Sequence, residues 1–374
     1  MTTVYDAPKS TYSDTTNQER IVNDVIQLID PVDTPLLDAL GGLDSARSKF
    51  SLRGNGTKIE WLEDEYFPTA GAMGTSTIST NATTLTVADG SLFKSGDVIL
   101  VDSEYMWVSA VSGEDLTVTR TYGGTNATHN SSSTVSIVSQ ARLEGATSSF
   151  DALVDISAPY NYTSTFQKGL KINGSEMVVD AYGYDDVWAY KANKGMKEMF
   201  RKIEQSIFHG IRAVGSATTP RSFGGLGTFI TDNSVNAGGA IAKSDIDNLF
   251  EYIYLDGGMP DLLVLNPSVA NDLRALLDSS SFVRVDQMNT EFGMRAITSV
   301  NTQYGSLRLI EDRWCPLSKA YALDSSKIGL YTLRPFAWSP LGKTGDFEAA
   351  ELVGEISLAV ANDKAHGFVY GLTS

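Results

Sequence analysis

The chain has 374 residues, enough for two or three compact units. Hydrophobic residues make up 42% and aromatics 10%, which fits a globular protein and not a disordered one. A formal net charge of −16 shows no sign of the basic patch by which most proteins grip nucleic acid. It suits a soluble, crowded assembly whose surface repels polyanions.

The segment from Met1 to Asp6 carries no basic and apolar leader, so a secretory signal is not expected. No apolar run approaches the ~20 residues needed to cross a bilayer. The single cysteine, Cys315, cannot form an intrachain disulfide and reads as a buried thiol.

The first twenty residues are polar and read as a flexible arm. Ile21, Val22, Val25, Ile26 and Ile29 then fall on one face at helical spacing, and Pro31 ends that helix. Asp33 is placed to cap a second short helix, opened by Thr34 and Pro35 and closed by Gly41-Gly42. Two short amphipathic helices cannot make a core alone, so a neighbouring subunit is an expected surface for them.

From Phe50 to Pro68 the pattern is strand-like, with a hairpin expected around Gly54 to Gly56. Gly71 and Gly74 mark a hinge. Between about Ile78 and Val138, short strands alternate with turn signals such as Ser95-Gly96-Asp97 and Ser112-Gly113, the pattern of a small β-barrel or sandwich. Strand character returns through Lys171. A helix is expected from Glu176 to Arg212, N-capped by Ser175, with Met196, Met199, Phe200, Ile203, Ile207 and Ile211 on its apolar face. Beyond Gly227 the chain alternates α and β: helices at Asp245 to Leu255, capped by Ser244, and Pro267 to Leu277, and strands at Leu262 to Leu265, Arg295 to Val300, Leu307 to Glu311, Lys319 to Leu323, Ile328 to Leu333, Glu351 to Ala361 and Gly367 to Leu372. Pro335 to Pro340 reads as a rigid link.

No pattern in the sequence points to catalysis. The three histidines, His129, His209 and His366, lie in separate segments without partners at metal-ligand spacing. Gly342-Lys343-Thr344 resembles the end of a phosphate-binding loop, but Ala337 stands where that motif needs glycine and no helix follows. Gly224-Gly225-Leu226-Gly227 reads as a hinge. Asp97 and Asp102 read as turn residues before calcium ligands. The acidic run Glu60, Glu63, Asp64 and Glu65 beside Trp61 admits a carboxylate hydrolase; the plainer reading is a solvated face matched to basic residues of a neighbour. No cofactor is expected.

The order of these elements, with Asp30-Pro31-Val32-Asp33-Thr34-Pro35-Leu36-Leu37, the helix through Arg212, Arg221-Ser222-Phe223-Gly224-Gly225-Leu226, Gly257-Gly258-Met259-Pro260-Asp261, Thr302-Gln303-Tyr304-Gly305, Leu333-Arg334-Pro335 and Pro340 to Asp346, resembles the major capsid proteins of tailed bacteriophages, in their short-tailed branch. The resemblance implies an α+β, Hong Kong 97-like fold with a long spine helix, an extended loop and an inserted small all-β subdomain. It divides the chain into an N-terminal arm (1–48), the extended loop (49–168, inserted subdomain at about 78–138), a peripheral domain (169–222 and 345–374) and an axial domain (223–344).

It further implies a non-enzymatic shell protein assembled in the host cytoplasm. That protein would form hexamers and pentamers with itself, and meet a portal and scaffold or decoration proteins. It would enclose DNA without sequence-specific binding and touch no membrane. Ile26, Ile29, Leu36, Leu37, Trp61 and Glu63 are the expected assembly-interface residues. A β-rich virion decoration protein or adhesin is the alternative, and an acidic hydrolase a more distant one.

Overall fold

The computed structural model describes residues 33–43, 50, 52, 55–146, 154–180, 183, 185–279, 299–302 and 305–373. The described chain forms two compact units. One contains Leu62–Ala158, and the other contains the residues on either side of it.

The larger unit is layered around a six-stranded sheet in the order Ser234–Gly239, Gly367–Leu372, Lys319–Leu323, Leu262–Leu265, Gly305–Glu311, Ser299–Thr302. Leu262–Leu265 is buried at every position, as a strand covered on both faces must be. Its alternate residues supply two separate cores. Leu262 and Val264 join the long helix, while Leu263 and Leu265 meet the helices Lys243–Leu255 and Pro267–Ser279 through residues such as Leu249, Ile253 and Leu273. The Lys243–Leu255 helix is closed at its start by the Asp245 carboxylate, which accepts the Ala242 N–H at 2.9 Å, and not by the expected Ser244. A three-stranded antiparallel sheet, Ile328–Pro340, Phe347–Val360 and Ser164–Asn173, adds Leu330, Leu352, Ile356 and Leu358 to the first core. Pro335 to Pro340, expected as a link, is therefore strand, with irregular register where Arg334 and Ala337 pair across. Gly342-Lys343-Thr344 lies in the turn that follows it.

The long helix is shorter than its periodicity suggests. A five-residue helix, Gly174–Val178, precedes it, and the long helix itself runs Val187–His209. Asp186 starts the second helix, accepting the N–H groups of Trp188 at 2.7 Å and Ala189 at 3.2 Å. An N-cap of that strength competes with helix continuity, and Gly183 between the two helices has φ 88°, a left-handed backbone that ends a helix. At the far end, Gly225 N–H donates to Gly210 O at 2.9 Å, so two backbones cross in contact. A Cβ on Gly225 would stand 2.5 Å from Ile207 O. Gly225→Ala is therefore expected to destabilise the unit by roughly 1–3 kcal/mol through overpacking. A thermal melt within a degree of wild type would remove that reading of the crossing.

The hairpin expected around Gly54 to Gly56 lies partly outside the described residues, and its expected second strand has another partner. Lys58–Glu60 pairs instead with Tyr160–Tyr162, about a hundred residues later. The smaller unit is a six-stranded antiparallel sheet in the order Ala70–Ala72, Thr134–Gln140, Asp97–Val101, Glu104–Ser112, Asp115–Gly123, Thr84–Thr86. Asp102 at φ 52° and Gly113 at φ 63° turn the two tight hairpins, where a positive φ matches the twist of the strands. Its core holds Leu85, Ile99, Val101, Met106, Val108, Leu116 and Val135. The Gly71 segment, expected as a hinge, is an edge strand of this sheet.

Candidate functional site

The residues expected at an assembly interface take different places. Ile26 and Ile29 lie outside the described residues. Leu36 and Leu37 sit on the short helix Pro35–Ala39 and are buried against Ile203, Ile207 and Tyr321 of the same chain. Their expected surface on a neighbour is thus supplied from within, and a charge placed at Leu36 acts first on the subunit's own folding. Trp61 is 4% exposed, packed with Ile59, Tyr331 and Ala359, and its ring centroid is 5.6 Å from that of Phe229. Glu63 is half-buried in the smaller unit, where its backbone exchanges hydrogen bonds of 2.9 Å with Ser157. The acidic run is divided between the two units, with Glu60 on a strand of the larger one and ion-paired to Lys58.

The short helix is held by a group that sequence reasoning missed. Asp33, expected as its cap, gives no side-chain bond to the helix start. The fully buried Glu204 of the long helix reaches across instead. Its Oε1 accepts the Leu36 N–H at 2.8 Å and its Oε2 the Leu37 N–H at 3.0 Å. These are two of the orphan donors of a helix start, satisfied from a residue 168 positions away. Burial, then the neighbouring carboxyl of Asp312, pushes the Glu204 carboxyl up to about 9, against the pull of the two N–H groups. Asp312 is raised as well by burial, although it accepts the Trp314 N–H at 2.8 Å. The signal was a glutamate inside the apolar series Phe200, Ile203, Ile207.

A second anchor fixes the segment after Pro159. The buried Asn161 amide donates to Leu358 O at 2.6 Å and Gly224 O at 3.1 Å, and accepts from Gly224 N–H at 2.8 Å. Next to it, Glu355 is ion-paired to Arg221 and accepts the Thr163 hydroxyl at 2.8 Å.

The smaller unit holds a third anchor. The Arg120 guanidinium forks onto Glu104 at 2.5 and 2.6 Å and also donates to the carbonyls of Ser79, Ala82 and Ala127. His129, fully buried, places Nε2 3.0 Å from Glu104 and Nδ1 2.6 Å from Asp102. Burial opposes ionisation of Glu104, but the bonds from Arg120, Ala127 and His129 outweigh it and hold the carboxyl at about 2.

Each histidine is thus accounted for structurally. His129 ties two hairpins, and His209 ends the long helix, exposed, where a cation suits the dipole. His366 is buried: desolvation lowers it to about 4, and its Nδ1 accepts the Asp324 N–H at 3.1 Å. Cys315 is buried and its thiol is pushed up. Among the described residues no cluster of three or more His, Cys, Asp or Glu is arranged to hold a metal ion, and no helix is long and apolar enough to cross a membrane.

These sites bind parts of the chain to one another, so what the protein does lies in its fold. That fold, mixed α and β, matches solved capsid structures. The chain is similar to the capsid of cyanophage A-1(L), with TM-score 0.59 and 14% identity, over 98% of this chain and 100% of that one. It is similar to the capsid of a native GTA particle, with TM-score 0.53 and 10% identity, over 98% and 100%. It also matches a structure from Mycobacterium phage Bobi, with TM-score 0.51 and 11% identity, over 98% and 100%. No curated protein sequence matches it. The model of the SU10 major capsid protein family matches residues 9–373. The chain belongs to that family, the structural major capsid proteins of the bacteriophage virion.

Proposed function

We propose that this major capsid protein assembles with itself, through hexamers and pentamers of a Hong Kong 97-like fold, into a closed icosahedral or prolate head around double-stranded DNA. Portal and scaffold or decoration proteins complete that head, and the chain performs no catalysis. On this reading residues 1–48 are an arm, 49–168 an extended loop carrying an inserted β-subdomain, 169–222 with 345–374 a peripheral domain, and 223–344 an axial domain. Ile26, Ile29 and Glu63 remain the expected contacts with neighbours, with Leu36, Leu37 and Trp61 supporting those contacts from the subunit's core.

One observation supports this reading above the others. Each core of the larger unit is closed, yet large apolar side chains stand in solvent at the ends of its elements: Val178 at 82%, Ile211 at 77%, Leu255 at 73% and Met259 at 71% exposed. Surface of this kind at several separate edges fits a subunit with several neighbours. Contacts that are individually small sum to a stable shell. Light scattering after size exclusion, with electron microscopy of the peak, is expected to find capsomers or polyhedral shells. A stable monomer at every concentration, with or without the other head proteins, would sink the proposal.

A further inference from the structure

The chain's charge of −16 conceals one cationic surface. The long helix Val187–His209 carries Lys191, Lys194, Lys197, Arg201 and Lys202, and the four lysines are exposed. Of its two acids, Glu204 is buried beneath the short helix, and Glu198 is ion-paired to Lys168 of the adjacent strand and also feels the charges of Lys194 and Arg201, so the helix keeps a surplus of positive charge. At 100° per residue, Lys194, Lys191 and Lys202 fall within about 80° of arc, and the line from Lys191 to Lys202 is about 16 Å long. The same arc also carries Gln205, His209 and the half-buried Glu198, with Arg201 about 20° beyond its edge, and no exposed apolar side chain.

We propose that this face of the long helix is a contact surface for the phosphates of double-stranded DNA. The inference rests on the shell reading above and goes further, because it gives DNA a defined place on the subunit. The composition of the face selects the partner. Protein interfaces are depleted in lysine and enriched in aromatic residues and methionine, the reverse of this stripe. Lysine is a flexible point charge suited to phosphate without demanding a fixed geometry. Duplex DNA presents about one charge per 1.7 Å of axis, so 16 Å of helix meets several phosphates in any register. Contacts of this kind carry no sequence preference and leave the duplex free to slide.

The test uses full-length subunits or capsomers before shell closure, where the helix is accessible to solute. Binding to a labelled 30-base-pair duplex is followed by anisotropy at salt from about 50 to 200 mM. Wild type is expected to bind, with affinity falling steeply with salt. A triple variant, Lys191→Gln with Lys194→Gln and Lys202→Gln, is expected to lower the log–log salt slope by about 2.7, from about 0.9 per lysine. Circular dichroism establishes that its helix is retained, and Lys→Arg at the same positions should restore the slope. Light scattering on the same samples separates the two readings. Wild type that never associates removes the shell proposal. Wild type that associates yet shows no salt-dependent DNA binding, or a triple variant that binds equally well, overturns this one. A variant that fails to assemble in the absence of DNA would assign the stripe to an acidic surface of a second copy, and overturn it too.

Discussion

Arg120→Ala is expected to remove about 3–5 kcal/mol from the stability of the Leu62–Ala158 unit. The cost comes less from the attraction lost than from what stays behind. Glu104 is fully buried, and without the guanidinium fork it keeps a charge with only Ala127 N–H and His129 facing it. Three carbonyls, of Ser79, Ala82 and Ala127, lose their donor in the same step. A unit with a single small core has little in reserve against such a loss. Replacing both partners, Arg120→Met with Glu104→Met, should recover much of the deficit, because no charge is then stranded. Hydrogen exchange read on peptides from 97 to 140 reports on this unit alone. Unchanged protection in Arg120→Ala would refute the account. The Glu104 carboxyl is depressed in the folded state, to about 2, so its contribution is complete above the ordinary carboxylate range and is lost as pH falls toward 2. Acid should therefore loosen these strands progressively from about pH 4.5 down to pH 2 in wild type.

The Leu116, Val118, Arg120 series shows why part of this design was legible and part was not. Period-two alternation placed the strands between Thr84 and Gln140 well, and the same alternation points Arg120 inward with Leu116 and Val118. What strand spacing does not carry is the partner. Glu104 and His129 lie on other segments, and only the sheet order brings them within reach. Long-range pairing failed for the same reason. Gly54 to Gly56 carries a sound local turn signal, but Lys58–Glu60 pairs with Tyr160–Tyr162, and Ile59 is buried in one cluster with Trp61, Tyr331 and Ala359. The apolar stripe of the long helix was legible from its 3.6-residue period, and the cap that shortens it, Asp186, was hidden because Ser175 offers an equally good local signal. Leu36 and Leu37 were recognised as a buried face, but a sequence cannot say whether a covering surface belongs to the same copy or the next. The order of weak motifs along the chain carried the family assignment, since no single element of it is specific.

The second large effect concerns Glu204, and it makes stability rise on acidification. Folding buries this carboxyl beside Asp312 and lifts it to about 9, so at neutral pH the folded chain holds a proton that the unfolded chain releases. A group raised in this way gives its full stabilisation below the ordinary carboxylate range, and that stabilisation drains away as pH climbs toward 9. The slope can reach ~1.4 kcal/mol per pH unit for one proton. Urea midpoints of the larger unit are accordingly expected to fall between about pH 5 and pH 9. Glu204→Gln keeps an oxygen for the Leu36 N–H and an N–H for Asp312 but cannot ionise. It should flatten the slope while leaving the neutral-pH midpoint near wild type. Glu204→Leu leaves the Leu36 and Leu37 donors without an acceptor, at about 1–3 kcal/mol for each buried group, and should release the Pro35–Ala39 helix. That release is readable through Trp314, whose indole N–H donates to Asp33 O at 3.1 Å beside that helix. A Gln variant that keeps the wild-type slope would show that other groups set the pH response. A Leu variant with the helix still protected would show that apolar packing of Leu36 and Leu37 holds it without the cap. If both variants behave as expected, the Pro35–Ala39 helix is fastened to the long helix by the Leu36 and Leu37 N–H groups, bonded to a carboxyl that keeps its proton.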